Sequence, residues 1–396
     1  MLTHRHVDRA LKWAPTGVVV DGTPSVLSGR DTSNSARCRV VLGNVADMLM
    51  AALRDMQWRR RRFVIAVLST AIIFAMTLVL TGLANGFRVE AEKTVDALGV
   101  DVFVVKAGAS GPFVGATPFA PVELVRIAAS PGVIAAAPLT YAGGTVTQGD
   151  STRNADLFGA PERGPGMPVP SEGRAPTTPD EVLVSSTLGR HVGDEIEIAS
   201  RKLRIVGIVE NSTALANLPN VFLTTEGAQQ LVYGGQQLVA SIGVRGTITS
   251  LPAGYEAIDR AGAIADLLRP LKVAVSSITI VAILLWVVAA LVVGSVIYLS
   301  ALERLRDFAV FKAIGVPTRN VAAGLAMQAI IVALLAALVG ALLSMALGPL
   351  FPMQVIVPTQ AYVALPLVAV IIGLVASASG LHRAVSVDPA LAFGGP

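Results

Sequence analysis

Four long apolar segments dominate the hydrophobic pattern of the chain. They cover residues 63–84, 273–300, 321–350 and 362–381, and none of them contains Asp, Glu, Lys, Arg or His. A bilayer core about 30 Å thick needs about 20 helical residues. Each segment is long enough, so the pattern predicts four transmembrane helices. Buried helices of a soluble protein are the alternative, and four such runs argue against it.

Residues 85–269 have a different pattern, in which short strand-like and helix-like runs alternate. Thr224 or Thr225 is placed to cap a helix, and Pro270 is expected to interrupt another just before the second apolar segment. Strands are predicted at 100–106, 182–185, 195–199, 203–209, 221–223 and 238–244, and helices at 121–129, 187–191, 226–233 and 261–271. The fold class is therefore an α-helical membrane protein with an α+β extracytoplasmic domain between transmembrane helices 1 and 2.

The glycine- and proline-rich stretch 107–119 interrupts this domain. We expect it to be either a mobile loop that touches a partner or a solvated connector.

Composition and charge fit a membrane protein. The chain is 53% hydrophobic and 15% charged, whereas a soluble domain is roughly 25% charged. Basic residues precede the first segment (59–62), lie between the second and third (301–320) and follow the fourth (Arg383), which predicts that these regions and both termini are cytoplasmic. Residues 85–269 hold 14 Lys/Arg and 19 Asp/Glu, a net charge of −5. The basic excess thus follows membrane topology and needs no nucleic-acid partner.

The cytoplasmic regions are assigned by composition. Residues 1–47 mix Gly, Pro, Ser and scattered charge, which is typical of a disordered tail, and an upstream start-site artefact is the alternative. Residues 48–62 are an amphipathic basic segment, and residues 382–396 form a cytoplasmic tail.

No catalytic or metal-binding pattern is found. The sequence has no G-x-x-x-x-G-K-[ST], so no nucleotide-binding loop is predicted on this chain. Its single cysteine and four scattered histidines fit neither a disulfide nor a zinc site. The apolar segments lack the ionisable residues that ion pathways and proton relays use.

Small residues recur every four positions in three of the apolar segments. Such stripes let helices approach closely in lipid, within one chain or in a homodimer. They are Ala290 and Gly294 in the second segment, Ala336, Gly340, Ser344 and Gly348 in the third, and Ala369, Gly373 and Ser377 in the fourth.

The loop between the second and third apolar segments contains a short amphipathic pattern, ALERLRDFAVFKAIG, at residues 301–315. Gly315 lies where a helix ends and Pro317 prevents its continuation. Either an interfacial anchor or a docking helix for a cytoplasmic partner would have this pattern.

Residues 303–315 resemble the E-R-x-R-E-I-G-V-L-(K/R)-A-(I/L)-G signature of FtsX/MacB-like ABC transporter permeases, with Asp307, Phe308, Ala309 and Phe311 at four departures. The order of one span, a large outer domain and three spans also matches that family, as does the ending at 387–392. The resemblance covers about residues 50–396.

The resemblance implies a permease subunit of the bacterial inner membrane that carries no cofactor itself. A separate cytoplasmic ABC ATPase would bind ATP and Mg, and two permease chains would form a homodimer. The loop helix would dock on the ATPase through Glu303, Arg304, Arg306, Asp307, Phe308, Phe311, Lys312, Ile314 and Gly315.

Three functions stay open: export of lipids, lipoproteins, peptides or drugs; regulation of an extracellular cell-wall hydrolase without transport; and import of a small solute such as an amino acid. An extracytoplasmic adaptor, hydrolase or solute-binding protein would accompany them respectively.

Overall fold

The computed structural model describes residues 60–148, 151–303, 310 and 318–385, with the side chains of 318–321 and 379–385 excepted. The predicted tail 1–47, most of the segment 48–62, and residues 386–396 of the predicted tail 382–396 lie outside the described residues. The chain divides into two compact units. We call residues 60–79, 281–347 and 359–385 the helical unit, and residues 80–280 and 348–358 the sheet unit.

Four of the described helices are long and apolar enough to cross a membrane. They are α1 (Arg60–Ala97), α5 (Lys272–Leu302), α6 (Thr318–Leu347) and α7 (Thr359–Val385). Each predicted apolar segment lies largely within one of them. Helix α1 has 38 residues and continues well beyond the predicted end at position 84. At 1.5 Å per residue it is about 57 Å long.

Between α1 and α5 the described residues form an eleven-stranded sheet and three short helices. The strands are β1 (Val102–Lys106), β2 (Val133–Gln148), β3 (Ser151–Ala160), β4 (Glu172–Gly173), β5 (Glu181–Ser185), β6 (Glu195–Ile198), β7 (Arg201–Val209), β8 (Thr213–Ala214), β9 (Leu218–Thr224), β10 (Ser241–Gly246) and β11 (Tyr255–Asp259). The helices are α2 (Leu124–Ala128), α3 (Thr225–Tyr233) and α4 (Arg260–Leu267).

The strand order is β11-β1-β10-β2-β3-β9-β5-β7-β4, with β6 paired to β2 and β7, and β8 paired to β9. Most pairs are antiparallel, but β3 with β9 and β5 with β7 are parallel. The long strand β2 joins the two halves of the sheet, because its first part pairs with β10 and its second part with β3 and β6.

Several local predictions are confirmed. The Thr224 hydroxyl accepts a hydrogen bond from the Gly227 N–H and caps α3. The strands predicted at 195–199 and 203–209 correspond to β6 and β7, which pair as a hairpin. Helix α4 ends at Leu267, and a short 3₁₀ turn that contains Pro270 separates it from α5. The helix predicted at 187–191 is a single 3₁₀ turn at Ser186–Leu188.

The prediction of a solvated connector at residues 107–119 is wrong in part. Phe113 is 4% exposed and Phe119 is 7% exposed. Phe113 packs edge-on against Phe103, Tyr141 and Phe158 inside the sheet unit. Residues 111–113 and Phe119 are therefore anchored in the hydrophobic core, while the rest of the loop is exposed or partly exposed.

Candidate functional site

The coupling segment predicted at 303–315 begins where α5 ends. Leu302 is the last residue of α5, and the Glu303 N–H still donates to the Leu299 carbonyl at 3.2 Å. Glu303 is the only proposed ATPase contact within the described residues. The others, Arg304, Arg306, Asp307, Phe308, Phe311, Lys312, Ile314 and Gly315, lie outside them.

Glu303 forms an ion pair with Arg62, which lies in the first turn of α1. The Arg62 Nη1 donates to Glu303 Oε1 at 3.1 Å, and Arg62 Nη2 donates to the Val296 carbonyl at 2.8 Å. The side chain of Arg62 is 23% exposed and that of Glu303 is 47% exposed. One guanidinium therefore joins the start of α1 to two points near the end of α5.

An apolar cluster of the helical unit includes residues on both sides of this ion pair. It contains Phe63 and Ala66 of α1 together with Val293, Ile297 and Ala301 of α5. Residues of α6 and α7 complete it: Leu325, Ala329, Val332 and Ala376. The four helices thus share one core.

Two of the predicted small residues lie at close helix contacts. A Cβ atom on Gly340 would lie 2.8 Å from the Ala71 carbonyl oxygen of α1, and one on Gly373 would lie 2.9 Å from Ile330 Cα of α6. Only a glycine fits at such distances without a backbone shift. The remaining stripe residues divide by burial: Gly294, Ala336, Ser344, Ala369 and Ser377 are buried, while Ala290 and Gly348 are partly exposed.

In the sheet unit, a buried carboxylate holds the glycine-rich loop. Asp266 of α4 accepts hydrogen bonds from the backbone N–H groups of Phe113 at 2.7 Å and Gly115 at 2.9 Å. Its other partner is Arg269 at 3.0 Å, which also donates to the Ser110 carbonyl at 2.5 Å. Because α4 directly precedes α5 in the chain, this loop is fixed to the segment that leads into a long apolar helix.

A strained turn of the sheet unit contacts α1. Leu215, Ala216 and Asn217 all have positive φ angles, 46°, 70° and 68°, which non-glycine residues rarely adopt. The Glu90 carboxylate of α1 accepts the Asn217 N–H at 3.1 Å, and the Asn217 side-chain amide donates to the Pro352 carbonyl at 3.1 Å. Such backbone strain persists only where the surroundings hold it.

The connection between α6 and α7 follows α1 as well. The Ile356 N–H donates to the Gly82 carbonyl at 3.0 Å, and the Asn85 amide donates to the Ile356 carbonyl at 2.9 Å. Residues 348–358 therefore belong to the sheet unit, although they join two apolar helices.

A second buried carboxylate lies on strand β3, which pairs with β2 on one side and β9 on the other. Asp156 of β3 is 1% exposed, and one of its oxygens accepts the Tyr141 hydroxyl at 2.7 Å. Its Oδ2 and the Oδ1 of Asn220, the adjacent residue of β9, have no hydrogen-bond partner among the described residues. Burial raises the pKa of Asp156 to about 6, against a smaller lowering by the Tyr141 hydroxyl. Burial also raises the pKa of Tyr141.

Sequence reasoning missed these buried acids. Asp156 and Asp266 each stand alone among apolar neighbours, in the runs NADLF and GAIADLL. That isolation is a signal for a buried carboxylate with a specific partner, because an unpaired charge is costly to bury. Within the part of the chain that the structure describes, no three His, Cys, Asp or Glu side chains form a metal-binding group.

Comparison with known proteins gives two family matches. Residues 63–261 match the model of the MacB-like periplasmic core domain, and residues 279–389 match that of the FtsX-like permease C-terminal domain. Together they cover the sheet, the coupling segment and the four apolar helices.

Curated relatives are similar over most of the chain. An uncharacterised ABC transporter permease of Mycobacterium bovis is 67% identical over 349 residues, which is 88% of this chain and 100% of the relative. A permease of Mycobacterium tuberculosis H37Rv with the same description is 66% identical with the same coverage. The crystal structure of the periplasmic region of MacB from Actinobacillus actinomycetemcomitans aligns with a TM-score of 0.30 and 12% identity, over 41% of this chain and 91% of that one.

Proposed function

The chain belongs to the FtsX/MacB family of ABC transporter permeases, and from this premise we propose that it couples ATP hydrolysis by a separate subunit to movement of its sheet unit. The ATPase lies in the cytoplasm and holds ATP and Mg. The sheet unit lies outside the bacterial inner membrane, and both chain termini lie inside. The complex contains two permease chains, and its function is export or the handling of lipids or lipoproteins.

The continuity of α1 is the observation that supports this proposal most directly. The same helix contributes Phe63 and Ala66 to the core of the helical unit and Ala91 and Val95 to a core of the sheet unit. A continuous helix of about 57 Å exceeds a bilayer core of about 30 Å. A displacement at its cytoplasmic end can therefore reach the sheet unit without passing through a loop.

The chemistry of the four apolar helices favours movement over a polar pathway. Their central segments contain no Asp, Glu, Lys, Arg or His, whereas ion and solute pathways through a membrane normally use such groups. This composition supports export by movement of the outer domain over import through a polar site.

The ATPase contacts in this proposal are those of the coupling segment. Phe308 and Phe311 fill an apolar groove on the ATPase, and Arg306, Asp307 and Lys312 set the register. Buried aromatic residues dominate the binding energy of many interfaces, while charges mainly give specificity and association rate.

Replacing both aromatics tests the docking site. We expect Phe308→Ala with Phe311→Ala to remove the ATPase from the affinity-tagged chain purified from its native membranes. Two interfacial anchors at about 2 kcal/mol each weaken binding about a thousandfold. Co-purified ATPase is measured by quantitative mass spectrometry and by vanadate-sensitive ATP hydrolysis.

The matched control truncates two apolar residues of the sheet unit. Val122 and Val125 are 77% and 79% exposed, and their replacement by alanine should leave ATPase recovery unchanged. Equal recovery with the Phe308/Phe311 variant and the wild type would show that the docking site is elsewhere. Wild-type chain that carries no ABC ATPase would refute the coupling function itself.

The same preparation identifies the task. Lipid or lipoprotein enriched on the wild-type complex and released on ATP addition supports export. A cell-wall hydrolase bound without any enriched cargo would replace export by the regulatory function, and a bound solute-binding protein would replace it by import.

A further inference from the structure

Glu303 is the first residue of the coupling segment, and its side chain contacts α1. The carboxylate accepts a hydrogen bond from Arg62 at 3.1 Å, 241 positions earlier in the chain. About half of its side-chain surface is covered. This contact assigns Glu303 a role inside the chain that its place in the motif does not reveal.

The geometry of Arg62 favours a positioning role. Its second nitrogen donates to the carbonyl of Val296, at 2.8 Å, so one planar group binds two acceptors near the end of α5. The cation also lies near the carboxyl end of α5, where the helix dipole favours positive charge. A lysine ammonium does not have the rigid fork that places both hydrogen bonds at once.

The apolar contacts beside this pair hold the two helices together without directional hydrogen bonds. Phe63 and Ala66 meet Val293, Ile297 and Ala301 through non-directional packing. Hydrogen bonds from a planar guanidinium are directional, so they define how α5 is rotated and how far it slides along α1. That rotation sets the direction in which the chain leaves α5 at Glu303.

We propose that Glu303 is a positioning residue that acts through Arg62: the pair fixes the start of the coupling segment to α1, so that movement imposed by the ATPase on this segment enters α1 as well as α5. The proposal rests on the proposed function. It separates two roles within one motif, since the aromatic residues dock on the ATPase and Glu303 transmits the movement.

Charge reversal tests the pair in the intact complex with its co-purified ATPase. Arg62→Glu and Glu303→Arg each place like charges together, and the double variant restores an opposite pair. We expect each single variant to retain the ATPase within about twofold while permease-dependent ATP hydrolysis falls at least about fivefold, the lower end of typical coupling between sites. The double variant should recover hydrolysis above both single variants but not fully, because the opposite pair returns while the hydrogen bond to the Val296 carbonyl does not.

Two further variants guard against misfolding and general charge effects. Glu303→Gln keeps the shape of the side chain and should also lower hydrolysis without loss of ATPase. Arg88→Glu reverses one member of an exposed ion pair with Glu92 on the same helix, and it should leave hydrolysis unchanged. Membrane-inserted, monodisperse protein is required of every variant before hydrolysis is compared.

The outcomes are distinct. Loss of the ATPase from the Glu303 variants, with no rescue in the double variant, would show that Glu303 contacts the ATPase and would overturn the positioning role. Normal hydrolysis in both single reversals would overturn it too. A wild-type chain without any bound ATPase would refute the proposed function instead.

Discussion

Replacement of Asp156 by asparagine should stabilise the sheet unit at neutral and alkaline pH. Asp156 is buried between β2 and β9, and only the Tyr141 hydroxyl donates to it among the described residues. Burial raises its pKa to about 6. The folded sheet unit therefore binds this proton more tightly than the unfolded chain does. Asparagine keeps the shape of the side chain and removes the charge.

The sign and size of the change in unfolding free energy follow from the linkage between protonation and folding. Because the folded-state pKa lies above the unfolded value of about 4, the stability contribution is fully present below about pH 4 and is lost as pH rises towards 6. A shift of about 2 units corresponds to about 3 kcal/mol. Wild type should thus lose about 3 kcal/mol relative to the asparagine variant between pH 4 and pH 8.

Hydrogen exchange measured by mass spectrometry on the full chain in detergent gives the local free energy of opening. Peptides that contain β3 should exchange about a hundredfold more slowly in the variant than in wild type at pH 8, and at nearly the same rate at pH 4. Comparison at equal pH cancels the intrinsic pH dependence of exchange.

A matched control neutralises an exposed carboxylate of the same sheet. Glu256 of β11 is exposed, so Glu256→Gln should not change the exchange of β3 at either pH. Equal or faster exchange of the Asp156 variant at pH 8 would refute the reasoning, because the buried charge would then be compensated.

Two glycine substitutions test close contacts in the two units. A Cβ on Gly111 would lie 1.9 Å from Asp266 Cγ, so Gly111→Ala should raise hydrogen exchange in residues 107–119. A Cβ on Gly143 would meet nothing within 4 Å, so Gly143→Ala should leave that exchange unchanged. Unchanged exchange in the Gly111 variant would refute the contact between Asp266 and the loop. A Cβ on Gly340 would lie 2.9 Å from Phe74 Cβ, so Gly340→Ala should destabilise the helical unit by about 1–3 kcal/mol. The destabilisation is measured as the temperature at which half of the monodisperse size-exclusion peak is lost. Gly324→Ala on the same helix, where a Cβ would meet open space, should not lower this midpoint. Equal midpoints for the two variants would contradict the Gly340 contact.

Local signals predicted much of the architecture. The uncharged runs are long enough to identify α1, α5, α6 and α7 without further information. Thr224 and Pro270 act within a few residues of their own positions, so the cap of α3 and the break before α5 could be predicted from neighbours.

Strand β2 could not be predicted in this way. Its sequence, VIAAAPLTYAGGTVTQ, is rich in alanine and glycine and contains a proline, all of which disfavour strands. It is extended because β3, which follows it directly, and β10 and β6, which are distant in the chain, pair with it. Tertiary pairing therefore overrides local preference here.

The contacts of the candidate site also arise from residues that are distant in the chain. The motif at 303–315 is visible in the sequence, but nothing local pairs Glu303 with Arg62. The loop at residues 107–119 is likewise held by Asp266, about 150 positions later. A motif identifies the segment, and only long-range contacts separate the roles of its residues.

The most direct test of the coupling function is hydrogen exchange in residues 85–269 of the nanodisc-embedded complex with its ATPase. Exchange is compared without nucleotide and after trapping with ATP and vanadate. The account predicts changed protection in the sheet unit on trapping, absent in the Phe308→Ala/Phe311→Ala variant. Identical exchange in both nucleotide states of a complex that hydrolyses ATP would contradict it.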